Sequence, residues 1–187
     1  NPSFSTYASY LSVFVHGLSI SNCDLDKSEE LFEPILSLSI VNLNLTLVAI
    51  KEIYKNVIIK DAANYSSGVS EFTSEQRKTV VEQLGAAGLV SVEEDTNMQN
   101  PEKIEMFYSD YLNGKDSMVT IFEVQRDGLI GAFTFIYRKG ELQTYYIGIR
   151  WKEGGIPEIQ GTSVSNVTEI KLTEKGYFIY AYEYVIA

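Results

Sequence analysis

The sequence predicts an α+β protein in which helices come first and an antiparallel meander sheet comes second. Two observations carry that expectation. Apolar residues recur at helical spacing in capped segments before residue 113, and from Ser117 the alternation falls to a period of two. The strand segments are joined by short turns. Strands so joined run antiparallel, because a parallel pair needs a long crossover. Helices followed by strands predict helices packed on one face of a sheet.

Residues 1–42 are read as an N-terminal extension, and 43–187 as one α+β domain of about three helices and then about five strands. In the extension, Phe4, Tyr7, Tyr10, Leu11 and Phe14 keep helical spacing, although the Ser and aromatic content also suits a strand. Asp26-Lys27-Ser28-Glu29 has capping-box form and can open a short helix, which Pro34 limits or restarts. Residues 35–47 alternate like a strand. Val48, Ile50, Ile53, Tyr54, Val57 and Ile58 then return to helical spacing, which predicts a helix through about 44–60.

Thr73-Ser74-Glu75-Gln76 is a capping box before Val80, Val81 and Leu84, and Gly88 can close that helix. Asn100-Pro101-Glu102 reads as a cap, a proline at the first helical position and an acid in the first turn. Ile104, Phe107, Tyr108, Tyr111 and Leu112 form the apolar stripe of that helix, and Asn113-Gly114 ends it. Strands are predicted at Met118–Val124, Ile130–Arg138, Glu141–Trp151, Val164–Leu172 and Tyr177–Ile186. The turns between them carry Asp127-Gly128, Lys139-Gly140, Glu153-Gly154-Gly155 and Glu174-Lys175-Gly176.

Composition narrows the function. The 187 residues carry a formal charge of −10, with one His, one Cys and one Trp, but 13 Tyr. One Cys forms no internal disulfide. With one His and one Cys, a zinc site would have to be completed by carboxylates. A hydrolytic triad would have to use His16, for which the sequence offers no orienting partner. No catalytic set, metal or cofactor is expected. Acids exceed bases in 1–42, 43–95 and 96–187 alike, so the charge reads as a solubilising surface and argues against nucleic acid. No run of 18 apolar residues occurs to span a membrane. Ile20-Ser21-Asn22-Cys23 is only a chance likeness to a lipoprotein cleavage site. The start at Asn1 rather than Met is read as a processed or otherwise imposed start.

The most unusual stretch is Tyr177–Tyr184. In a strand, Phe178, Tyr180, Tyr182 and Tyr184 share one face, and Tyr177, Ile179, Ala181 and Glu183 share the other. If the second face packs on the helices, the first pairs with Tyr145 or Trp151 or forms a platform for a glycan or peptide. Glu183 is the lone acid on its face and a candidate pocket carboxylate, unless it pairs with Arg138 or Arg150. Glu93-Glu94-Asp95 with Asn97 and Asn100 offers hard oxygens for Ca²⁺, but its spacing is not that of an EF-hand, and an acidic surface loop is expected. Gly85-Ala86-Ala87-Gly88 is read as a helix end rather than a phosphate loop.

Ile50-Lys51-Glu52-Ile53-Tyr54, Asn97-Met98-Gln99-Asn100-Pro101-Glu102-Lys103 leading to Phe107-Tyr108, Val119–Val124 and Leu172–Phe178 resemble, in order and spacing, a family of uncharacterised lipoproteins from Gram-positive (Firmicutes) gut bacteria. The resemblance covers most of the chain from Ile50 and assigns no activity. It implies an extracytoplasmic protein held to the membrane by a lipid anchor outside this chain. It also implies chains that continue beyond Tyr184, and one alternative reading is that this chain is a fragment of a longer lipoprotein. By analogy of element order, the fold is compatible with a cone of the nuclear transport factor two-like or cystatin-like kind. The expected role is ligand binding or protein interaction without catalysis, through Phe178, Tyr180, Tyr182, Tyr184, Tyr145, Trp151 and Glu183. The alternative is a small pocket-bearing enzyme or small-molecule binder with Glu183 or Asp110 facing inward among tyrosines.

Overall fold

The computed structural model describes residues 50–55, 58–59, 69–70, 72–93, 97–152 and 154–184. The readings of residues 1–49, including His16 and Cys23, lie outside them. The fold is α+β, with a curled mixed sheet and a cone-like half-barrel shape.

Residues 50–54 are helical, but the helix expected to run to about 60 ends sooner. The β-branched pair Ile58–Ile59 is strand β1 and pairs antiparallel with Val69–Ser70, strand β2. Helix α1 spans Ser74–Ala86 behind the predicted capping box. The Thr73 side chain accepts from the Gln76 amide while the Gln76 side chain accepts from the Thr73 amide. Gly88, at φ +81, closes the helix. Strand β3, Val90–Val92, and helix α2, Glu102–Leu112, come next.

Asn100 does not cap α2 as expected; Pro101, expected at the first helical position, takes the cap position, and the helix begins at Glu102. Asn100 adopts φ +53, and its side-chain amide donates to the carbonyls of Gly85 at 2.9 Å and Leu89 at 2.7 Å. It thus ties the start of α2 to the end of α1. Asn113 and Gly114 end α2 as expected.

Strands β4 (Ser117–Val124), β5 (Ile130–Arg138), β6 (Glu141–Lys152), β7 (Ile156–Leu172) and β8 (Phe178–Tyr184) form the predicted meander, except that β7 begins eight residues before the expected Val164, because its first half pairs with β6. The sheet order is β3-β4-β5-β6-β7-β8. Strand β3 is an addition to the expected set. It lies parallel to β4, so α2 is the crossover of a β3-α2-β4 unit.

That crossover puts helices on both faces, not one. Phe122 and Val124 of β4, Ile130 and Ala132 of β5, and Ile147, Ile149 and Trp151 of β6 pack with Ile50, Tyr54 and the Val80, Val81 and Leu84 face of α1. The alternate positions Val119, Ile121 and Phe135 pack with Ile104 and Phe107 of α2 on the other face. Leu112, expected in the α2 stripe, is exposed.

The second face is concave. Phe135 of β5 and Tyr180 of β8 meet at 4.9 Å between ring centroids, although β6 and β7 lie between their strands. Flat strands three places apart would be separated by about 14 Å. Register shifts in β7 leave Gln160 and Thr168 as extra residues, and such bulges bend and twist a strand. The first bulge also switches the inward side chains of β7: Ile159 packs with the α1 layer, whereas Gly161 pairs with Gly148 on the concave side.

The β6–β7 turn is fixed against the helical segment at 50–54. Gly155 has φ +71, and a methyl group there would lie 2.6 Å from the Lys51 carbonyl oxygen. Gly155→Ala is expected to cost about 2–4 kcal/mol, combining left-handed strain with a clash against backbone. Urea denaturation checks this. A variant as stable as the parent would show that the turn does not press on this segment.

Candidate functional site

The concave face carries an open cleft of about 510 Å³. Its floor comes from β4 and β5 through Ile121, Glu123, Phe133 and Phe135. One wall is Val92, Met98 and Pro101, and the other is the β7–β8 hairpin from Lys175 to Tyr180. A second chamber of about 280 Å³ adjoins it, sharing Phe133 and Tyr180 and extending over Thr144, Tyr146, Ser163, Ser165 and Tyr182.

Period-two alternation places these side chains. In β8, Phe178, Tyr180 and Tyr182 turn inward. Phe178 packs edge-on against Phe107 and Phe135 at centroid distances of 6.4 and 5.1 Å. Ile179, Ala181 and Glu183 face outward and are exposed. The aromatic set is therefore the one that packs on the helix layer, because the curved interior takes large rings and leaves the smaller side chains outside. Tyr182 remains 43% exposed, and the aromatics line the two chambers described above, Phe178 and Tyr180 the first and Tyr180 and Tyr182 the second. The backbone of Tyr184 continues β8 beside Ser165.

Three candidates fall elsewhere. Trp151 is buried on the opposite face, stacked on Tyr54 at 4.1 Å. Tyr145 also projects from the opposite face, where its hydroxyl donates to Gln143 at 3.4 Å. Glu183 is exposed and is not a pocket carboxylate, and Arg150 pairs with Glu158 instead. Asp110 also does not face the cleft. It accepts from Lys115 Nζ and Ser117 Oγ, each at 3.0 Å, and the Lys115 hydrogen bond holds its carboxyl below the usual range.

The carboxylate on the cleft floor is Glu123. It is the acid in the apolar run Val119–Val124, and position 123 shares a face with Val119 and Ile121. That parity was readable in the sequence; which face is concave was not. Glu123 heads a cross-strand row completed by Gly131, Gly148 and Gly161. The glycines leave the floor low enough for Tyr146 to lie across it. A Cβ on Gly131 would approach Tyr146 Cε2 to 3.0 Å, and one on Gly148 would approach Tyr146 Oη to 3.0 Å. Burial raises the pKa of the Tyr146 and Tyr180 phenols, and the Glu123 charge adds to both shifts. Both hydroxyls stay protonated at neutral pH.

Glu93 is not part of an acidic surface loop. It is 8% exposed and ion-paired to Arg77. Asn97 Oδ1 accepts from the Glu93 amide at 2.8 Å, and the Asn100 amide bonds to Gly85 and Leu89. These three groups serve the α1–β3–α2 junction; Glu94 and Asp95 lie outside the described residues. Among the described residues, no helix is long and apolar enough to cross a membrane.

Comparison with curated proteins and with solved structures finds no match. Residues 43–187 match a family described as a family of unknown function, DUF6070, and the chain belongs to that family.

Proposed function

We propose that this is a non-catalytic binding domain that holds an uncharged, extended ligand of glycan or peptide type along the concave cleft. The observation that carries it is the pair of adjoining chambers, about 510 and 280 Å³, walled by Phe133, Tyr180 and Tyr182. Ligand sites are concave and largely apolar, with a few polar groups that fix orientation. Tyrosine suits such a wall, giving rigid contact area with a hydrogen-bonding tip.

The test is a glycan and peptide array probed with the intact chain, then titration of each hit. Tyr180→Ala, which removes a cleft wall, is expected to weaken binding about tenfold or more. Ala181→Lys, on the outward face of the same strand and away from both chambers, is expected to leave it unchanged. Equal losses from both, or no hit on the array, would overturn the reading.

An extracytoplasmic, lipid-anchored location belongs to the same proposal and rests on the resemblance of the segments from Ile50 to Phe178. Protease treatment of intact cells is expected to digest the protein. Digestion only after lysis would place it inside.

A further inference from the structure

Resting on the cleft as the ligand site, we infer that the smaller chamber is a subsite for one neutral, polyhydroxylated ring of monosaccharide type, anchored on Thr144 Oγ1. Six residues around it carry hydroxyls: Thr144, Ser163, Ser165, Tyr146, Tyr180 and Tyr182. Phe133 and Gln125 complete the lining, and no side chain in it is charged at neutral pH. Each hydroxyl is both donor and acceptor, which matches a ligand whose own hydroxyls are both. Phe133 and the tyrosine rings offer apolar faces to the C–H face of a ring. Phe133 and Tyr146 lie 4.8 Å apart and Tyr180 and Tyr182 5.9 Å apart, so these faces line the chamber as two aromatic pairs.

Thr144 points to the ligand independently. It is 5% exposed, and its Oγ1 has no hydrogen-bond partner among the protein atoms. The oxygen is itself closed to solvent; a buried hydroxyl without a partner is costly, and a turn about χ1 would bring it into the chamber that Thr144 lines. Ser165, its cross-strand neighbour on β7, is also buried and lines the same chamber. Glu123, on the floor of the neighbouring cleft, acts with its charge on the Tyr146 and Tyr180 phenols of the chamber and so disfavours an anion such as phosphate. At about 280 Å³ the chamber is at the small end of ligand pockets, which suits a single ring.

The test uses the intact chain, titrated by NMR with the methyl glycosides of glucose, galactose, mannose and N-acetylglucosamine, and separately with choline and inorganic phosphate. At least one glycoside is expected to shift the signals of Thr144 and Ser165, and choline and phosphate are expected not to. Thr144→Val keeps the shape and removes Oγ1. It is expected to weaken the glycoside at least about fivefold, while the melting temperature of the free protein stays level or rises. A glycoside affinity unchanged by Thr144→Val, a fall in melting temperature, or binding of choline or phosphate in place of glycosides would overturn the subsite. In each of those cases, array hits that remain sensitive to Tyr180→Ala leave the binding cleft standing. Loss of both sets of results would remove cleft and subsite together.

Discussion

Tyr54→Ala is expected to lower stability by about 3–5 kcal/mol, the range for deleting a large ring from a packed core. The ring is 0% exposed and lies between Phe72, at 4.8 Å, and Trp151, at 4.1 Å, nearly parallel to both. Its hydroxyl donates to the Gly128 carbonyl at 2.9 Å, across 74 residues of sequence. Burial pushes its pKa upward, so the phenol keeps the proton it donates. Truncation leaves a cavity between two aromatics and takes the partner from a carbonyl in the β4–β5 turn. Tyr54→Phe separates the two effects and is expected to cost about 1–2 kcal/mol. Urea denaturation followed by circular dichroism measures both. A loss below about 1 kcal/mol for the alanine variant would show that the 50–54 segment is not a clamp on the sheet.

The second large effect is expected at the Arg77–Glu93 pair. Both side chains are nearly buried, at 13% and 10% exposure, and Arg77 Nη1 also donates to the Phe72 carbonyl at 2.7 Å. Removing one partner strands the other charge in a poorly solvated place, at about 3–5 kcal/mol. Replacing both by apolar groups strands neither. Arg77→Met with Glu93→Leu is therefore expected to cost less than the sum of the single losses, by more than about 1 kcal/mol. A double-mutant cycle in urea reads that difference. Simple additivity would mean that water reaches the pair and that it behaves like a surface bridge.

The meander was legible because its signals are local. Alternation and glycine-bearing turns placed β4, β5 and β6 to within a residue or two, and Thr73–Gln76 announced α1 through neighbours three residues apart. The features that escaped depend on partners distant in sequence. Val90–Val92 is too short to show a period, and it is a strand because β4 lies beside it. Asn100 has the composition of a cap, yet its amide is used by the end of α1.

The site divided the same way. Alternation grouped Phe178 with Tyr180 and Tyr182, and the structure keeps them together. Nothing local told whether that face turned in or out, because the answer depends on the curvature made by the β7 bulges and on Phe107 of α2. Trp151 looked like a partner for those tyrosines because both are aromatic and on strands. Parity along β6, shared with Ile147 and Ile149, sends it to the other side of the sheet. Glu123 is inconspicuous among apolar neighbours, while the more conspicuous Glu183 proved to be on the outer surface.

The burial of the chain's only tryptophan against Tyr54, on the side of the sheet away from the cleft, has a practical consequence. Red-edge excitation selects indole emission, which reports on the Tyr54 clamp and is blind to an occupant of the cleft. Phenol absorbance comes from both faces, since Tyr54 and Tyr145 lie away from the cleft, so the indole is the label that belongs to one face alone. In unlabelled protein, indole emission that holds steady as a ligand fills the cleft would show that filling the cleft does not loosen the clamp.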